Sequence, residues 1–287
     1  MTASFLSVNG AYVKSYKCGT ILLLFVFAVL MPLAAVGAES FQKSDFRADF
    51  GVLIHDYKWA EYADDGPKLL EETGNLYGFG YDIESLKSRI GWRTGGHFFL
   101  GEVDYSGQTW TDIPVTTDVW YAGGEIYADV VPGYRFDSGL WLKSFAGVGT
   151  RFWLRDLQDT RTGEGDPVSG AREWWGYLYG RAGLGAEFPV TKDIMVFGEF
   201  GLKLPIYARN EAEFFLSGSP SVGLEPEAKV SGFGAAGCRW KQWGAKITYD
   251  ALRFDRSDAV SSGMYSLYQP RSEADVYSVE VFWSKGF

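Results

Sequence analysis

A chain of 287 residues with two histidines, His55 and His97, and two cysteines, Cys18 and Cys238, offers few starting points for proton-transfer, nucleophilic or metal chemistry. His55 stands beside Asp56, where an imidazole could act as a general base. The same place suits a hydrogen-bonded histidine of a strand wall, and we read it so. His97 follows Thr94-Gly95-Gly96, a turn signal, and is expected in a turn. No Asp-x-His pattern occurs and nothing local marks a serine nucleophile, so catalytic residues are expected to be absent. Acidic clusters recur at Asp64-Asp65 with Glu71-Glu72, at Asp156, Asp159, Glu164 and Asp166, and at Glu211, Glu213, Glu225 and Glu227. Carboxylate oxygens suit Ca²⁺, but none of these clusters has the regular spacing of a Ca²⁺ loop, and solvated loops explain them. Phosphate-cradling glycine loops, Cys/His metal spacings and nucleotide fingerprints are missing, so no cofactor or metal is expected.

What the sequence has in quantity is charge at every second position. Glu102, Asp104, Glu125, Asp129, Arg151, Arg181, Glu199 and Lys203 share a parity whose opposite is aliphatic or aromatic, as in Val148, Leu184 and Leu202. Ten such segments are expected, near 46–57, 82–93, 97–107, 119–131, 140–154, 174–188, 194–207, 228–240, 243–254 and 275–286. Each is about the nine to eleven residues with which a tilted strand crosses a bilayer. Between them, short gaps at 94–96, 132–139, 189–193 and 241–242 alternate with long ones at 58–81, 108–118, 155–173, 208–227 and 255–274. The expected fold is all-β: a ten-stranded antiparallel up-and-down barrel, its charges facing inward as a network of ion pairs. Glu125, Asp129, Arg151 and Arg181, on three consecutive strands at similar depth, are its expected centre.

Periodicity alone cannot say which face is outside, because a soluble barrel with an apolar interior is the mirror image. The last strand, VYSVEVFWSKGF, decides: Tyr277, Val279, Val281, Trp283 and Phe287 alternate with Ser278, Glu280, Phe282 and Ser284, and the final residue is aromatic. This strand resembles the C-terminal strand of Gram-negative outer-membrane β-barrels, which their assembly machinery reads. Tryptophans at strand ends, such as Trp92, Trp153, Trp174, Trp240, Trp243 and Trp283, fit the aromatic girdles of such barrels. The resemblance implies a place in the outer membrane of a Gram-negative bacterium, contact with outer-membrane lipid and lipopolysaccharide, and the assembly machinery as a partner through Phe287. It is similar to the omptin proteases in strand number only, and their catalytic residues have no counterparts here. A Ser-His site like that of outer-membrane lipid hydrolases would have to use His55.

At the N-terminus Lys14 and Lys17 precede an apolar stretch, Ile21 to Val36, and then Val36-Gly37-Ala38 before Glu39. That order predicts a signal peptide over 1–38, cleaved between Ala38 and Glu39, with the barrel domain over 39–287; a retained anchor helix is the alternative. Cys18 would leave with the peptide. The formal charge of −9 argues against a nucleic-acid partner. A barrel of this size can be filled by its own side chains. The expected function is that of an occluded barrel with a structural or surface-interaction role. A narrow, porin-like diffusion channel for small solutes is the alternative, and a rim enzyme, protease or lipid hydrolase, the third. Oligomeric state stays open.

Overall fold

The computed structural model describes residues 45–63, 66–86, 89–109, 111–214, 221–262 and 265–287. The expected cleavage site at Ala38 and Glu39 lies outside the described residues, as do Asp64 and Asp65. Ten long strands run in order: β1 (Phe46–Tyr62), β2 (Lys68–Ser85), β3 (Ile90–Gln108), β4 (Pro114–Arg135), β5 (Trp141–Leu157), β6 (Ala171–Pro189), β7 (Ile194–Phe214), β8 (Ser231–Trp240), β9 (Trp243–Asp255) and β10 (Arg271–Gly286). Each pairs antiparallel with the next, and β10 pairs with β1 to close the sheet into a barrel. At the seam, Phe46 and Phe287 exchange backbone hydrogen bonds of 3.0 Å in both directions and stack their rings. No edge strand is left within this barrel, which satisfies every backbone group along the seam without water.

The outer wall explains why the chain takes this form. Ile54, Phe79, Ile126, Val148, Leu184, Leu202, Ile247 and Val279 are all substantially exposed and form a continuous apolar belt. Aromatic residues bound it, with Trp92, Phe188, Trp240, Trp243 and Phe287 toward the chain-terminal end and Tyr77, Trp120, Trp174, Tyr207 and Tyr277 toward the other. Beyond this second girdle the outward positions turn polar: Asp56 and Lys58 on β1, Asp118 on β4. Strands β1 to β7 have 17 to 22 residues, about twice what the hydrocarbon needs, so the barrel continues well beyond its apolar belt.

Two turns lie elsewhere than the sequence suggests, and both misplacements have one cause. The gap expected at 58–81 is strand: β1 runs to Tyr62 and β2 starts at Lys68. The turn expected at 94–96 is mid-β3, and the chain reverses instead between Ser85 and Ile90. Gly95 and Gly96 are there for proximity, not for turning. A Cβ on Gly95 would lie 2.5 Å from the Tyr127 hydroxyl, and one on Gly96 would lie 2.3 Å from the Glu125 carbonyl oxygen. As a result, His97 faces the lumen. The shift also moves Glu102 and Asp104, which are exposed on the outer wall above the belt rather than in the lumenal network. There the outside is water, so carboxylates can face out while Val103 and Tyr105 turn in. Arg89, expected in the second strand, lies in the turn between β2 and β3.

Candidate functional site: the barrel lumen

Strand alternation sends one residue in two into the lumen, and the register decides which of them meet. Glu125 of β4 lies opposite Arg151 of β5, Arg181 of β6 opposite Lys203 of β7, and Lys246 of β9 opposite Glu280 of β10. Nearest the chain termini, Arg47 donates to Glu187 at 2.8 Å and to Glu84 at 2.6 Å, while Lys143 bridges the same two carboxylates at 2.8 and 2.7 Å. Beside them Arg239 donates to Asp49 at 2.8 Å. One step along the axis, Arg93 donates to Asp129 at 2.9 Å and to Glu199 at 2.5 Å, and Arg181 approaches Asp129 at 3.3 Å. The next step holds Glu125, which accepts from Lys203 at 3.1 Å, Arg151 at 3.4 Å and Tyr179 at 2.5 Å. Arg151 and Lys203 both also reach Asp250, at 2.8 Å.

Of the eight residues expected in a lumenal charge network, the structure brings six together: Glu125, Asp129, Arg151, Arg181, Glu199 and Lys203. Glu102 and Asp104 are not among them. Arg93, the last residue of the segment expected over 82–93, joins them; its period-two relation to His97 and Phe99 is the signal that the strand continues past it. A cavity of about 160 Å³ runs through these charged steps, with His55, His97 and Ser278 on its wall.

Above the charges the lumen changes character. Trp153 and Trp175 stack with centroids 5.1 Å apart and 8° between planes, Trp59 meets Trp175 edge-on at 5.4 Å, and Phe254 packs at 5.4 Å from Trp175. Tyr57 and Tyr121 pack at 4.9 Å, and Leu76, Val119, Leu252 and Val276 fill the space around them. Trp59, Tyr121 and Val119 have 0 % of their surface exposed, so this layer is a packed core across the bore. Trp153 therefore belongs to the lumen, not to a girdle. Over it sits a second polar group, in which Arg155 pairs with Glu72, with Glu173 at 2.7 Å and with Glu61 at 3.7 Å. The indole N–H groups of Trp59 and Trp175 donate to Glu61 at 3.1 Å and Glu173 at 2.9 Å, which ties the two layers together. Burial pushes the Glu61 carboxyl up to about 7, with Arg155 opposing and Glu173 adding to the rise.

No family model matches the sequence and no curated protein matches it. Solved structures do. The outer membrane protease OmpT from Escherichia coli is similar over 87% of this chain and 99% of that one, with 12% identity and a TM-score of 0.58. The fold is that of an outer-membrane β-barrel. The Pseudomonas putida toluene transporter TodX covers 85% of this chain at 10% identity and a TM-score of 0.36, and Ail of Yersinia pestis covers 84% at 10% and 0.31. At these identities the likeness is one of fold. The apolar belt and its girdles are thus the lipid-facing surface of an outer-membrane barrel.

Proposed function

We propose that this barrel is a closed outer-membrane protein of a Gram-negative bacterium, with a structural or surface-interaction role and no transport or enzymatic activity. The observation that carries the reading is the double closure of the bore. Salt-bridged side chains cross the part within the belt and leave a cavity of about 160 Å³ between them, and the Trp59, Trp153, Trp175 and Phe254 layer seals it above. A diffusion channel needs a continuous water path, and an ion would have to cross a packed aromatic layer to find one. A rim enzyme would have to work without a histidine base, since both histidines of the chain lie in the lumen wall, below the aromatic layer.

The parts of the barrel beyond the belt are left to do the work. They carry the loop hairpins Val260–Ser262 with Tyr265–Leu267 and Thr160–Arg161 with Pro167–Val168. Basic groups such as Lys58 and Arg253 stand on the outer wall just past the girdle, where lipopolysaccharide phosphates would meet them. Assembly through the strand ending at Phe287 belongs to the same reading. Single-channel recording of the refolded barrel in a planar bilayer tests it: current near the bilayer baseline is expected, and steady, size-limited conductance would promote the channel alternative.

A further inference from the structure

The two histidines of this chain are 42 positions apart in sequence, on β1 and β3, yet their rings face one another in the lumen with centroids 5.1 Å apart. His55 is 4 % exposed, and its Nδ1 lies 2.6 Å from the Ser278 hydroxyl oxygen on β10. The Nε2 atoms of both rings are buried and have no hydrogen-bond partner among the described residues. Other buried groups, among them Trp141 Nε1, Trp153 Nε1 and Ser231 Oγ, also have no hydrogen-bond partner, but the two imidazole nitrogens belong to adjacent rings and are lone-pair donors that one ligand could satisfy together. With Nδ1–H donating to Ser278, His55 Nε2 is left as a bare lone pair, the arrangement that second-sphere oxygens impose on metal-ligating histidines.

We propose that His55 and His97 bind one divalent first-row transition-metal ion, Zn²⁺ being the reference case, through their Nε2 atoms. Imidazole suits this class of ion, whereas Ca²⁺ and Mg²⁺ prefer oxygen. With a Zn–N bond of about 2.0–2.1 Å, two imidazoles on a tetrahedral ion have their centroids about 5 Å apart, which is the spacing present here. Among the described residues no third His, Cys, Asp or Glu completes a three-residue group, so the other positions fall to water. The cavity of about 160 Å³ on which both rings border has room for it, at about 30 Å³ per molecule. The cavity wall carries eight carboxylates against eight lysines and arginines, so it is balanced overall and the preference for this class of ion rests on the imidazoles. Glu125 stands directly across the β3–β4 pair from His97. Ser278 is a positioning residue in this site, holding the His55 ring rather than touching the ion.

The test uses untagged protein, refolded in detergent with and without Zn²⁺, so that entry into the lumen does not limit binding. Calorimetric titration should give one Zn²⁺ per barrel, and His55→Phe or His97→Phe should each weaken it at least 10-fold. Ser278→Ala should weaken it about 10- to 100-fold. Folding of each variant is read from its heat-modifiable migration in detergent gels. A measurement on the wild type needs no variant: Cu²⁺ in the site should show electron paramagnetic resonance splitting from two imidazole nitrogens. An oxygen-only Cu²⁺ spectrum, the absence of Zn²⁺ binding after refolding with metal, or binding undiminished in a folded double variant would each overturn the proposal.

Discussion

Arg151 is held between two carboxylates, Glu125 at 3.4 Å and Asp250 at 2.8 Å, and it is 3 % exposed. Removing one member of a buried, hydrogen-bonded charge group leaves the rest uncompensated, so Arg151→Ala is expected to destabilise the barrel by about 3–5 kcal/mol in urea unfolding. A loss within ±0.5 kcal/mol, the range of an unconstrained surface site, would show that water already solvates the cluster. Glu61 gives a pH prediction with a definite sign. It lies beyond the lipid-facing belt, burial pushes its carboxyl up to about 7 in the folded chain, and the unfolded value is about 4.3. Between those values the unfolded chain gives up its proton while the folded one keeps it, so this residue's contribution to stability is present at low pH and lost as pH rises toward 7. Glu61→Gln should flatten that part of the stability profile, and an unchanged difference between variant and wild type from pH 4 to 8 would refute the assignment.

Strands β4 to β10 were legible in the sequence because each keeps one clean parity over its lipid-facing length; Val148, Leu184 and Leu202 all face out. Strands β2 and β3 were not. Gly74, Gly78, Gly80, Gly95 and Gly96 gave them the composition of a loop, although the glycines admit neighbouring side chains and backbone at close range. Glu102 and Asp104 failed for a different reason. Inferring the inner face from charge works only while the outer face is lipid, and β3 has already passed the girdle there. The contrast is testable on single strands. Leu202→Arg should cost about 2–4 kcal/mol at its place in the belt, while Asp104→Arg, outward but in water, should stay within about 0.5 kcal/mol. Equal costs at the two sites would mean that the belt has been drawn at the wrong height.

Across the whole molecule, six residues of the charge network could be read from parity, but the aromatic layer could not. Trp59, Trp153 and Trp175 sit at girdle-like spacing in the sequence, and only the extension of the strands past the belt shows that they turn inward. The consequence for permeation is redundancy. Arg151→Ala alone is expected to leave the bore shut, because the tryptophan stack remains, and Trp175→Ala alone likewise, because the ion pairs remain. Trp175→Ala should still destabilise by about 3–5 kcal/mol. Only the combined variant should pass ions in planar bilayers, and conductance from either single variant would show that one seal carries the closure.

The position of that stack has a thermal consequence. Within the belt, outward apolar groups pass from lipid or detergent to water only on full extraction, and the inside is ionic. Beginning at the outer girdle, Trp59, Tyr121, Trp175, Leu252 and Phe254 are hidden from water in the way a soluble domain hides its interior. Exposing such surface raises the heat capacity by about 0.45 cal/K/mol per Å². The outer half of this barrel should therefore have a curved stability profile, with a temperature of greatest stability and a loosening on cooling, while the belt beneath it stays rigid in its lipid. Hydrogen exchange at low temperature should find the amides of Trp59 and Trp175 opening before those of Val148 and Leu202.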